Sequence, residues 1–166
     1  NIYQTFLNNK DKLFKEESDA YTKIFNETAG KTHDEIGNAV LGVAKGDNVK
    51  IINRYLVKQG FAPLIKIVKG KPKLTRKLDI ETGEKVKRAL MDEKNKSITT
   101  QGKKLSTYGF FDNSEKAVKN ALDDISPELA ATRKKWAQIS SSADQYKAGE
   151  TAMSLPSDKF SVMAKQ

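Results

Sequence analysis

Apolar residues recur at helical spacing along most of this chain, and the spacing changes to strict alternation in one place, between Gly60 and Ile80. A chain patterned in this way folds as a set of helices interrupted by a single β-hairpin, so an α+β, mainly α, class is expected. In the N-terminal block the apolar positions are Tyr3, Phe6, Leu7, Leu13, Phe14, Tyr21, Ile24 and Phe25. They predict an amphipathic helix with a break near Asn8 and Asn9, ended by Gly30 and Lys31. Thr32 and Glu35 have the spacing of a capping box, and Ile36, Ala39, Val40 and Val43 continue a second helix over 34–44. Lys45, Gly46 and Asp47 form a turn. A third helix then runs over 48–59, capped by Asp47 or Asn48, with Val49, Ile52 and Leu56 inward and Gly60 closing it.

Pro63 disfavours helix, and Ile65 and Ile67 alternate with Lys66, so 64–69 reads as a strand whose isoleucines belong to the core. Gly70 to Lys73 is expected to turn, and Leu74, Leu78 and Ile80 to line one face of a return strand, giving a hairpin over 64–80. Helical spacing resumes at Thr82 and runs to about Asn95 with Val86, Ala89 and Leu90 inward. The Ser-, Thr-, Gly- and Lys-rich stretch 96–113 is expected to be a loop anchored by Tyr108, Phe110 and Phe111. Ser114 would then cap the next helix. Ser126, Pro127 and Glu128 supply cap, first-turn proline and acid for a last helix that would bury Leu129 and Trp136. From Ser140 the pattern thins, so the expected organisation is an N-terminal helical segment 1–31, a helical domain 32–139 and a C-terminal arm 140–166.

The charge is distributed as unevenly as the spacing. Lys50, Arg54, Lys58, Lys66, Lys69, Lys71, Lys73, Arg76 and Lys77 fall between Lys50 and Leu78, where no Asp or Glu occurs. Those nine charges equal the net charge of the whole chain, +9, so the other residues sum to zero and the excess is local. A folded element with a local basic excess points to a polyanion. The same surface would also serve a scaffold protein meeting an acidic protein or an anionic membrane, but Lys66 alternates with isoleucines that the core should claim, so no membrane partner is expected.

Helix 34–44, a short Gly turn, helix 48–59 and a basic hairpin resemble the architecture of a winged helix over about residues 32–94. The resemblance implies a second helix in the major groove, presenting Lys50, Asn53, Arg54 and Lys58, with Asn53 and Arg54 reaching base edges. It also implies that Lys66, Lys69, Lys71, Lys73, Arg76 and Lys77 lie along phosphates. A non-catalytic nucleic-acid-binding protein that prefers DNA to RNA is therefore expected. A second reading from the same charge is a viral-type nucleoprotein that coats single-stranded RNA and forms homo-oligomers through 143–166. In that reading Tyr55, Phe61, Tyr108, Phe110 and Phe111 would stack on bases.

The chain has no Cys and a single His, so thiolate chemistry is excluded and neither a metal ligand set nor a cofactor motif is expected. An enzyme, such as a basic nuclease-type toxin, would have to begin from His33, Asp34 and Glu35. Adjacent residues at a helix start point in different directions, so no catalytic residue is expected there. No apolar run is long enough to span a membrane. A location inside a cell or a virion is expected in preference to secretion.

Overall fold

The computed structural model describes the backbone of residues 2–154 and the side chains of residues 2–141 other than Tyr3 and Phe6. Among these the chain is mainly helical: α1 (Ile2–Thr28), α2 (Asp34–Val43), α3 (Asn48–Lys58), β1 (Ile65–Val68), β2 (Lys71–Leu74), α4 (Ile80–Lys96), α5 (Tyr108–Ile125) and α6 (Pro127–Ser154). The two strands form one antiparallel hairpin. The chain divides into two compact units, residues 24–127, and residues 1–23 with 128–166.

In the unit of residues 24–127, α4 is the packing centre and touches α2, α3 and α5, while β1 sits on α3 and β2 on α2. The core is the inward stripe of each helix: Ile36 and Val40 from α2, Ile52 and Leu56 from α3, Val86 and Leu90 from α4, Val118 and Leu122 from α5. Ionic groups are also buried or half-buried along α4 and between α4 and α5. Glu84 is buried with Lys87 at 3.3 Å and Arg88 at 3.6 Å, and Lys94 reaches Asp112 at 3.4 Å and Glu115 at 3.9 Å. The hydrogen bond from Lys116 holds the Asp112 carboxyl below the usual carboxylate range.

In the other unit, Trp136 of α6 lies 4.8 Å from Phe14 and 6.1 Å from Tyr21 of α1, ring centre to ring centre. Leu129 is buried as expected, but Trp136 keeps 37% of its surface exposed. Its contacts are ring edges and faces rather than enclosure.

Several boundaries differ from the sequence expectation. α1 continues through Asn8 and Asn9, because two asparagines in a row lower helix propensity without removing a backbone hydrogen bond. The Thr32–Glu35 capping box does not form. His33 holds the N-cap position without a side-chain cap bond, and its backbone N–H donates to the Leu78 carbonyl at 2.9 Å. The aromatic cluster is not in a loop, since α5 starts at Tyr108 and carries it in its first turn. Ser114 is then mid-helix, with its hydroxyl donating to the Phe110 carbonyl at 2.9 Å. α6 runs on through Ser140, Ser141 and Ser142. Residues 155–166 of the expected arm, and all side chains beyond Ser141, lie outside the described residues.

The close approach of α2, α4 and α5 depends on Gly83. A Cβ there would stand 2.8 Å from Ile36 Cγ2 and 2.8 Å from Leu122 Cδ2, both on fully buried side chains that have no room to swing away. Gly83→Ala should gain about 1 kcal/mol in helix propensity but lose about 1–3 kcal/mol to overpacking. A net destabilisation of about 1 kcal/mol is expected, read from the urea midpoint. A midpoint equal to or above that of the parent chain would show that the three helices can part without cost.

Candidate nucleic-acid interface

The end of α3 and the hairpin are each built by few residues. α3 ends in a Schellman arrangement: Phe61 N–H donates to the Leu56 carbonyl at 2.9 Å and Gly60 N–H to the Val57 carbonyl at 3.0 Å. The hairpin reverses over two residues only, Lys69 and Gly70, both with positive φ (52° and 78°). That is the primed turn that matches strand twist, and Gly70 adopts it without strain. The register pairs Ile65 with Leu74, Lys66 with Lys73, Ile67 with Pro72 and Val68 with Lys71.

This geometry corrects the expected return strand. It begins at Lys71 rather than Leu74 and ends at Leu74, and residues 75–79 lead directly into α4. Asp79, inside the expected hairpin 64–80, is instead the N-cap of α4 and accepts from Thr82 N–H at 3.0 Å. Pro72 inside the strand is tolerated because a two-stranded ribbon leaves each strand an open edge. Only the foot of the hairpin enters the core. Ile65 is 4% exposed, whereas Ile67, expected inward, is 57% exposed and Val68 39%.

Asn53, expected at base edges, is engaged within the fold. Its Oδ1 accepts from Leu64 N–H at 2.9 Å and Ile65 N–H at 3.0 Å, and its Nδ2 donates to the Ile65 carbonyl at 2.8 Å. Two amide donors on one side and a carbonyl on the other fix the orientation of the amide. Arg76 is similarly engaged: its guanidinium donates to the Pro63 carbonyl at 3.2 Å, the Ala62 carbonyl at 3.1 Å and the Thr75 hydroxyl at 3.3 Å. Both residues build the hairpin's foot. Sequence spacing could not show this, because their backbone partners lie ten or more positions away.

The remaining expected contacts, Lys50, Arg54, Lys58, Lys66, Lys69, Lys71, Lys73 and Lys77, are all exposed. They are not electrostatically equal. Arg54 and Lys58 line a groove of about 210 Å³ between α3 and α4 together with Tyr55, Asp92, Glu93 and Lys96. The two carboxylates temper the positive charge there. Burial, and then the charge of Asp92, push the Tyr55 phenol above its ordinary range. On the hairpin no acidic residue intervenes. Lys66 and Lys73 stand directly opposite each other on one face, and Lys71 shares that face.

Of the rings considered for stacking, Phe111 is buried and Phe110 is 39% exposed. Tyr55, Phe61 and Tyr108 are half-buried. Lys104 Nζ lies 4.5 Å from the centre of the Tyr108 ring. His33 and Asp34 line a second cleft, about 420 Å³, with Asn38, Thr75, Arg76 and Lys77. Among the described residues no group of three metal-ligating side chains converges, and no helix is long and apolar enough to cross a membrane. Compared with protein-family models, with curated proteins and with solved structures, the chain matches none.

Asn53→Ala would strip two backbone donors and one acceptor of their partners at a half-buried site. A loss of about 2 kcal/mol in unfolding free energy is expected, with faster amide exchange at Leu64 and Ile65 measured by NMR. Unchanged exchange at those amides would mean that β1 is held on α3 by side-chain packing alone.

Proposed function

We propose that this chain binds nucleic acid without catalysing a reaction, with duplex DNA preferred to RNA, and that the hairpin rather than α3 makes the larger share of the phosphate contacts. The observation that carries the reading is the Lys66–Lys73 pair. Like charges placed directly across a ribbon destabilise it, and Lys69 and Lys71 add to the repulsion at the turn. A bound polyanion reverses that cost, because each phosphate met by a lysine releases condensed counterions.

The element order α2, Gly turn, α3, hairpin supports the winged-helix form of this reading, in which α3 enters a groove and the hairpin follows the backbone. The intramolecular hydrogen bonds of Asn53 and Arg76, and the predominance of lysine among the exposed charges, favour loose phosphate contact over base readout. Arg54 is the exposed residue on α3 best suited to a bidentate base contact. The alternative of a coat on single-stranded RNA depends on residues 143–166 as the assembly arm, and it predicts cooperative binding to single strands.

With about five phosphates neutralised on a duplex, log affinity should fall against log salt with a slope near −4.5. In the double variant Lys66→Gln/Lys73→Gln the slope should shrink by about 1.8 and affinity should fall at least tenfold, about 1.4 kcal/mol. Thermal stability should be equal or slightly raised. Lys134→Gln, outside the basic stretch, should leave the slope unchanged. A flat salt dependence of the parent chain would refute the proposal, and cooperative binding to single-stranded RNA in preference to duplex DNA would replace it with the coat reading.

A further inference from the structure

The hairpin has an apolar part that phosphate contact does not use. Cross-strand pairs alternate between the two faces of a ribbon, so Ile67–Pro72 lies on the same face as Ile65–Leu74, while Lys66–Lys73 and Val68–Lys71 lie on the other. Ile65 is in the core at 4% exposure. The next pair on that face stands about 7 Å further out, at two residues' rise along the strand, and Ile67 is 57% exposed. The ribbon therefore carries an apolar face beyond the body that supports its foot, with lysines on its other face and at its turn.

We infer that Ile67 and Pro72 form a wedge that enters a base step of bound duplex DNA from the minor groove and bends the helix axis. The inference rests on the proposed DNA binding and deepens it, since it assigns the hairpin a deformation of its ligand as well as a hold on it. Three properties of the hairpin fit the role. Isoleucine and proline are among the side chains that serve as wedges between base steps. Both are stiff, through branching at Cβ and through the ring, so they lose little rotamer freedom on insertion. The lysines on the opposite face and at Lys69 can reach the two phosphate strands that flank an inserted tip. An anionic bilayer would also attract those lysines. Interfacial anchoring, however, scales with buried apolar area, and this tip offers only Ile67, Val68 and Pro72.

The test uses the full chain and an end-labelled duplex of about 25 base pairs, with bending read by energy transfer between the ends and unstacking by 2-aminopurine at the central steps. The parent chain should bend the duplex by about 20–90° and brighten the probe. Ile67→Thr/Pro72→Thr, a change at positions outside the core, should keep the salt slope and lose at least half of the bend and the brightening. Circular dichroism of that variant checks that the fold is retained, and Ile67→Val alone, which keeps the branched apolar shape, should keep most of the bend. Tight, salt-dependent binding by the parent chain with a straight duplex would overturn the wedge and leave the DNA-binding reading standing. Absence of duplex binding altogether would overturn both. Binding to vesicles of phosphatidylserine and phosphatidylcholine that is lost in the same double variant, with no bend in DNA, would assign the tip to a membrane surface instead.

Discussion

Asn53 fixes where the basic hairpin stands. Its side-chain amide accepts two backbone N–H groups and donates to one carbonyl at the start of β1, so the direction in which the ribbon leaves α3 is set by hydrogen bonds of defined geometry. Arg76 closes the other side of the same foot through the Ala62 and Pro63 carbonyls. Hydrophobic contact alone is non-directional and would hold Ile65 and Leu64 without orienting the strands beyond them. A ribbon that carries lysines outward needs an orientation to be useful, and two polar side chains from the basic stretch supply it.

Beneath that foot, α4 is the element against which the rest of the unit is packed. Its inward stripe buries Val86, Ala89 and Leu90, and Gly83 lets α2 and α5 close on it at a distance that a methyl group would prevent. The same helix carries Glu84 and Lys87 out of water as a pair and reaches α5 through Lys94. Removing either partner of such a pair is costly because the other charge would be left buried, whereas the pair itself adds little net stability. The acidic residues of the unit are thus partly consumed between α4 and α5. The hairpin itself contains no acidic residue.

That division of charge shapes the functional reading. On α3 the basic stripe of Arg54 and Lys58 faces Asp92 and Glu93 across a groove, while on the hairpin Lys66 opposes Lys73 and the ribbon holds no acidic residue. The fold tolerates this local repulsion where the heads are fully solvated. A partner rich in phosphate relieves it, and in the proposed complex the apolar pair beyond the core lies between the gripping lysines.

The sequence by itself determined the elements and the sign of the surface. Helices 34–44 and 48–59 were legible to within a residue, because apolar side chains at Ile36, Val40, Ile52 and Leu56 recur at the period of a helix face and Gly46 and Gly60 mark its ends. The strand at Ile65 and the local excess of nine basic residues were legible for equally local reasons. What spacing could not supply was the identity of partners distant in the chain. Asn53 and Arg76 have the residue types of nucleic-acid contacts, and only the approach of the 62–65 backbone turns them into structural braces. Ile67 has the period of a core residue, yet the body of the fold stops one pair short of it. Tyr108 to Phe111 have the composition of a loop anchor, yet the packing of Phe111 and Ser114 draws them into α5. Periodicity reports which side chains share a face. Only tertiary packing decides whether anything stands against that face, because burial belongs to the assembled elements and not to any one of them.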